Sequence, residues 1–239
     1  MALRIVSVFG ATGLQGSAVA NALLKDDTLT PRAIAGNPES EAALTLKARG
    51  VEVIKGDSRD KRWWALCAAA RLSSRCATAI IFPLKAEGEG PNELVQGKNM
   101  VDAAKEAGVR FFILTSLPSL IEFSGGKYNN CPHFEQKAAV QKYLESSGLA
   151  NASLHLGAFL EKVLKKTTTG FNVAMPNYGA TAARQALTSV ERDVLAATLA
   201  LLENYTDSSK HISGKSYPIV DANMTYAELA ATGKVQWPA

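Results

Sequence analysis

The sequence predicts a doubly wound, largely parallel α/β sheet with a small C-terminal α/β lobe. Three observations carry that expectation. Apolar, β-branched runs alternate with helix-length amphipathic segments through about residue 157, the rhythm of parallel strands joined by right-handed crossover helices. Residues 77–82 and 111–115 are apolar without alternation, as strands covered on both faces require. The first strand also runs directly into GATGLQG, residues 10–16, a glycine pattern whose meaning depends on such a strand-to-helix turn.

The elements follow in order. RIVSVF (4–9) is the first strand, and the helix after it carries Leu14, Ala18, Val19, Ala22 and Leu23 as one stripe. RAIA (32–35) is a short second strand. NPESEAALTLKARG (37–50) reads as a helix with Pro38 in its first turn and Gly50 at its close. VEVIKGD (51–57) is the third strand, with a helix around 60–72 behind it. CATAIIFPL (76–84) is the fourth strand, followed by a helix over 91–107 ended by Gly108. VRFFILTS (109–116) is the fifth, followed by a helix over 133–147 ended by Gly148, and NASLHLG (151–157) is the sixth. Turn formers then dominate, before a helix at 189–203, a strand near 215–220 and a short helix at 225–231. The chain divides at this level into a sheet domain, 1–156, and a small lobe, 157–239, segments of which can return to the sheet.

Composition excludes several classes. With 239 residues, 47% of them hydrophobic, the chain can bury a sizeable core, and its composition is not of the disordered type. A net charge of +4 is too mild for the concentrated basic face of a nucleic-acid binder. The local run Lys162, Lys165, Lys166 reads as a solvated helix face. Cys67, Cys76 and Cys131 contain no CxxC, which fits reduced thiols in a cytoplasmic or nuclear compartment. His133, His155 and His211 are scattered without zinc-ligand spacing, so no metal is expected. No signal-peptide pattern and no run approaching the ~20 apolar residues of a membrane helix is present, so no membrane partner is expected.

The glycine loop points to a ligand. Gly10 permits the tight turn, Gly13 lets main chain approach a diphosphate, and Gly16 lets helix and strand pack closely. The unpaired N–H groups and dipole at the helix start attract phosphate, so Thr12, Leu14 and Gln15 join the three glycines as candidate dinucleotide contacts. Asp57, after the third strand, can accept from an adenine amino group, or Asp57 or Ser58 can simply cap the next helix. Phe82 and Pro83 end the fourth strand, where a dinucleotide crosses the carboxyl edge of such a sheet.

Together VFGATGLQG, GNP after the second strand, GD after the third, VQGKNMVDAAKEAGV (95–109), LTS (114–116) and HFEQKAAVQKYLESSGL (133–149) resemble NmrA-like proteins. These are atypical members of the short-chain dehydrogenase/reductase superfamily. The likeness continues through ALTSVERDVLAATLALLEN and GKSYPIVDANMTYAELA, to about residue 231. It implies a Rossmann domain, a small C-terminal lobe and a bound NAD(P). Some members resemble regulators or redox sensors that bind dinucleotide without turning it over, and others are NAD(P)H-dependent reductases.

The resemblance places Lys137 at the family's lysine, which holds the nicotinamide ribose, and Ser116 at its serine. The usual tyrosine four residues before the lysine is replaced by His133. Tyr128 lies nine residues from Lys137 and cannot share its helix face by spacing. His133, Lys137, Val140 and Leu144 fall on one face, which aims Lys137 at the strand ends unless it snorkels to solvent. A histidine at a helix N-terminus is held toward its neutral form, so proton delivery by His133 is not designed in the usual way. Beyond the sixth strand the family pattern Pro-x-x-Phe-x-Glu-Asn becomes GAFLEK (157–162). Phe159 then either walls the nicotinamide side or serves as lobe core. The lobe also stops where relatives continue with more helix.

Gly36 stands where NADP-binding relatives carry an arginine, and Glu39 and Glu41 follow. Asn37 can bond a ribose hydroxyl without adding charge. NAD(H) is therefore expected to bind at least as well as NADP(H). Cys131 reads either as a redox-sensing thiol or as an ordinary cysteine, and Trp63 and Trp64 as sheet cover or partner patch. Two functions stand: a dinucleotide-binding regulator or redox sensor with a protein partner, and an oxidoreductase acting on a quinone or carbonyl through Lys137, Ser116 and His133.

Overall fold

A computed structural model describes residues 4–59, 76–81, 93–166, 171–173 and 183–231. In chain order its strands are β1 (Arg4–Phe9), β2 (Leu29–Ala35), β3 (Glu52–Lys55), β4 (Cys76–Ile81), β5 (Phe111–Ser116), β6 (Asn151–Leu156), β7 (Ala158–Phe159), β8 (Leu164–Lys166), β9 (Phe171–Val173), β10 (Gln185–Thr188), β11 (Lys215–Ile219) and β12 (Ala222–Met224). The helices are α1 (Leu14–Leu23), α2 (Glu41–Ala48), α3 (Glu93–Glu106), the single turn α4 (Leu120–Phe123), α5 (Pro132–Ser146), the single turn α6 (Leu160–Val163), α7 (Leu195–Asn204) and α8 (Tyr226–Ala231). A π-helical turn, Val190–Val194, leads into α7.

Seven strands form one sheet in the order β3-β2-β1-β4-β5-β6-β11, every neighbouring pair parallel. This is the Rossmann order, extended by one strand, with its reversal between β1 and β4, where such sheets bind ligands at the carboxyl edge. Successive residues of β5 divide between two cores, as the period of two demands. Phe111 and Ile113 join Val6, Val8, Val19, Leu23, Leu154 and Leu201 under α1 and α7. Phe112 and Leu114 join Phe9, Ile34, Met100, Val140 and Leu144 under α3 and α5. Burial on both faces explains the apolar run at 111–115.

The helix-ending glycines predicted at 50, 108 and 148 all sit at positive φ. The helix predicted over 37–50 starts later, at Glu41. Asn37 folds an Asx turn, its Oδ1 accepting from the Glu39 N–H at 3.0 Å. Ser40 is the N-cap, its Oγ accepting from the Ala43 N–H at 3.4 Å, so Pro38 precedes the helix instead of lying in its first turn. The lysine run is not a helix face either: α6 ends at Val163, and Lys165 and Lys166 lie on β8, paired antiparallel with β9. The helix predicted around 60–72 with Trp63 and Trp64, and the residues Phe82 and Pro83, lie outside the described residues.

Chain beyond residue 157 builds a second sheet, β12-β10-β7, and sends β11 back to pair with β6. The junction explains why this chain carries glycine where the family pattern has proline. A Cβ on Gly157 would stand 2.4 Å from the Ala186 carbonyl oxygen, and its N–H donates to Thr188 Oγ1 at 2.7 Å. Proline would supply the clash and remove the donor. Overpacking of ~1–3 kcal/mol plus a lost hydrogen bond of ~1 kcal/mol predicts that Gly157→Pro destabilises by on the order of 3 kcal/mol. Urea denaturation should show this as a clearly lower midpoint, and an unchanged midpoint would mean the two sheets are not in register through this contact.

Candidate functional site

The turn between β1 and α1 is built from main chain. Gly10 has φ +65°, a conformation that side-chain-bearing residues rarely adopt, and the Gly13 N–H donates back to its carbonyl at 2.9 Å. A Cβ on Gly16 would stand 2.3 Å from the Gly10 oxygen and 2.6 Å from Ala11 Cα, so only glycine lets α1 start this close to the strand. Gly13 is the N-cap and contributes no side-chain cap. Its position and those of Gly10 and Thr12 are exposed. The helix thus offers main-chain donors to the outside. Gln15, in the first turn, is only 3% exposed, yet neither atom of its amide has a partner among the described residues. Leu14 beside it is half-buried. A glycine cradle, an uncapped helix start and a polar group awaiting a partner together fit a diphosphate-bearing ligand.

Other predicted residues are distributed along the same carboxyl edge. Asn37 is exposed just past β2. Glu39 nearby forms an ion pair with Lys47 at 2.9 Å, so one of the two carboxylates expected to repel a 2′-phosphate is already compensated. Past β3, Asp57 accepts from the Arg59 N–H at 2.9 Å and from its guanidinium, Nη2 to Oδ2, at 2.7 Å. Ser58 is tied to α3: its Oγ donates to Gln96 Oε1 at 3.0 Å, and its carbonyl accepts from Asn99 Nδ2 at 2.9 Å.

The structure brings Ser116 and Lys137 together. Ser116, at the end of β5, is buried and its hydroxyl donates to the Lys137 carbonyl at 3.2 Å. Lys137 points inward and does not snorkel, with a side chain 16% exposed. Its ammonium forms an ion pair with Glu93, whose side chain is 5% exposed. His133 is not part of this cluster. One turn earlier, beyond the covered part of the helix, it is exposed and tilts against Phe134 with ring centroids 4.7 Å apart. Glu93 went unnoticed in the sequence because an acid in the first turn of a helix is ordinary. A usable signal was Gly97: mid-helix glycine costs ~1 kcal/mol, which marks a close neighbour, and Glu93 stands one turn away on the same face.

Phe159 packs at the margin of the first core with the Lys162 ammonium 5.6 Å from its ring centroid. The neighbouring Glu161 has a structural task. Its Oε1 accepts from the Val190 N–H at 2.7 Å and the Glu191 N–H at 3.2 Å, capping the turn that leads into α7. Cys131 is the N-cap residue of α5 and is half-buried. Among the described residues no cluster of His, Cys, Asp or Glu has the geometry to hold a metal ion, and no helix is long and apolar enough to cross a membrane.

Comparison with known proteins places these features in context. The family model described as the NmrA-like family matches residues 3–233. An Aspergillus flavus protein named NmrA-like family domain-containing oxidoreductase lnbB is 31% identical over 96% of this chain and 72% of its own length. A second oxidoreductase of that description, notA from an Aspergillus strain, is 33% identical over 70% of this chain and 51% of its own. The chain thus spans about half the length of notA. Among solved structures, NmrA, a negative transcriptional regulator in complex with NAD, superposes with a TM-score of 0.75 at 19% identity, covering 97% of this chain and 70% of that one. A Citrobacter triphenylmethane reductase complexed with NADP(H) gives 0.70 at 23%, covering 97% and 75%. At such identities these two likenesses are ones of fold.

His155 offers a pH test of how Ser116's neighbourhood is packed. It lies in register beside Ser116 on the adjacent strand, its Nε2 2.8 Å from Gln141 Oε1. Burial holds its pKa below the ordinary value of 6.5, against a smaller opposing pull from Glu145. The unfolded chain therefore takes up this proton first as pH falls. Stability should decline from about pH 6.5 downward until the folded ring also titrates. Urea midpoints between pH 7.5 and 5.5 should fall more steeply for the natural chain than for His155→Gln. Equal slopes would show that this ring is not desolvated.

Proposed function

The chain belongs to the NmrA-like family, and on that footing we propose that it binds a nicotinamide dinucleotide along the carboxyl edge of its large sheet, as a redox-responsive regulator with little or no turnover. The main chain of Gly10–Gly16 takes the diphosphate, with Thr12, Leu14 and Gln15 around it. Asn37 bonds the adenosine ribose, and Asp57 and Ser58 border the adenine. Lys137 and Phe159 border the nicotinamide end. A bound nicotinamide supplies a hydride donor or acceptor; the side chains supply position and charge.

One observation carries the regulator reading: the groups nearest the lysine are committed to one another. The Lys137 ammonium is paired with Glu93, and the Ser116 hydroxyl is donated to the Lys137 carbonyl. His133 is out at the surface, and the motif has no tyrosine. Reduction of a carbonyl or quinone needs a proton donor within hydrogen-bond reach of the substrate oxygen, and this arrangement favours occupancy over chemistry. In the regulator reading, occupancy is passed on to a protein partner.

A second reading, an NAD(P)H-dependent oxidoreductase using Lys137 with Ser116 and His133, is favoured by a separate fact. Two relatives, aligned over 96% and 70% of this chain, carry oxidoreductase names. Titration of NADH and NADPH, followed by a turnover screen with quinones and carbonyls on the same sample, separates the two. Binding without turnover supports the regulator. Hydride transfer that is lost in Lys137→Ala overturns it in favour of the enzyme. No uptake at millimolar dinucleotide overturns both.

The glycine loop gives a sharper expectation. Gly13→Val crowds the exposed turn, with a Cβ 3.3 Å from the Gly10 carbonyl oxygen, which must give slightly; dinucleotide affinity should fall about tenfold or more, ~1.4 kcal/mol, with circular dichroism checking that the fold is kept. The same titrations address cofactor choice: with no arginine at Gly36, NADH should bind at least as tightly as NADPH. A tenfold preference for NADPH would overturn the charge argument drawn from Gly36.

A further inference from the structure

We propose that Glu93 is the positioning residue of the nicotinamide end of the site, acting through Lys137. The inference rests on the dinucleotide-binding reading above. Its basis is how α3 and α5 meet. Both helices start at the carboxyl edge of the sheet and run in the same direction, because each crosses over between parallel strands. They touch at Gly97 and Val140, where a Cβ on Gly97 would lie 2.4 Å from Val140 Cγ2. One turn toward the N-terminus from each contact residue lies Glu93 on α3 and Lys137 on α5. The close approach of the helices therefore delivers the carboxylate to the ammonium.

The rest of the pair is held as firmly. The Glu93 N–H donates to Oε1 of Gln136 at 3.0 Å, and Ser116 anchors the Lys137 carbonyl from the end of β5. Glu93 stands in the first turn of α3, where the helix dipole favours an anion. An ammonium largely withdrawn from water in such a place requires a counter-charge, and Glu93 provides it. An ammonium carries three donors and no acceptor. With one donated to Glu93 and no other partner among the described residues, two are left for hydroxyl oxygens of a ribose. Because the pair is neutral as a unit, it suits hydroxyls better than another phosphate. Glu93 is thus assigned no contact with the dinucleotide; it fixes where the lysine can reach.

A double-mutant cycle on binding tests this, with NADH as the probe and affinity read by calorimetry for the natural chain, Glu93→Gln, Lys137→Met and the double variant. Glu93→Gln should weaken NADH about tenfold, ~1.4 kcal/mol, when Lys137 is present. It should change affinity less than about twofold when residue 137 is Met, because a residue acting through the lysine has nothing left to position. Glu93→Asp, which keeps the charge on a shorter arm, should retain more affinity than Glu93→Gln and serves as the comparison if Glu93→Gln does not fold. Equal losses with and without Lys137, or no loss in either, overturn the assignment while leaving dinucleotide binding standing. A natural chain that takes up no NADH overturns both.

Discussion

Gly16 and Gly97 each sit in a helix, where glycine is disfavoured by ~1 kcal/mol relative to alanine, and each is there because another group occupies the space a Cβ would need. At Gly16 it is the Gly10 carbonyl, and at Gly97 it is the Val140 side chain. The first close approach sets α1 against the start of the loop, so that the uncapped helix end opens at the carboxyl edge of the sheet. The second sets α3 against α5, so that the Lys137 ammonium meets a carboxylate. Both ends of the candidate site therefore depend on the same constraint: helices brought nearer than side chains ordinarily allow.

That constraint changes how the family lysine is to be understood in this chain. In a Tyr-x-x-x-Lys arrangement the ammonium works on a phenol. Here the position of the phenol is taken by His133, which is exposed, and the ammonium instead faces Glu93. A buried ion pair costs desolvation on both sides, and breaking one by removing a single partner typically costs ~3–5 kcal/mol. Such a pair is better suited to holding geometry than to cycling protons, which is why the committed lysine weighs toward ligand recognition in the functional proposal.

The C-terminal part of the chain is tied to the sheet at several points. Lys215–Ile219 extends it beside β6, Gly157 and Thr188 join the small sheet to its end, and Glu161 caps the turn that seats α7. The Thr188 hydroxyl also donates to the Ile219 carbonyl at 2.5 Å. Gly157 and Glu161 follow closely on the end of β6, at the carboxyl edge of the large sheet. On the regulator proposal, these main-chain contacts are the path by which dinucleotide occupancy would reach the surface.

The sequence by itself determined the sheet, the glycine turn and the family. These follow from short-range facts: uninterrupted apolar strands, helix periods ended by Gly50, Gly108 and Gly148, and glycines spaced around a strand-to-helix turn. Lys137 and Ser116 were singled out by the family resemblance, and Gln15 because it lies in the loop; that Ser116 bonds the Lys137 carbonyl was visible only in the structure. The helix start at Ser40 was misread because Asn37 and Ser40 compete for the backbone through local side-chain bonds that spacing does not rank. Glu93 was harder to single out, for a different reason. Its partner lies 44 residues along the chain, and only the registry of two helices, fixed by one glycine against one valine, makes them neighbours. The exposure of His133 and the Glu39–Lys47 pair were likewise decided by tertiary structure, since burial and charge compensation depend on where side chains end in space.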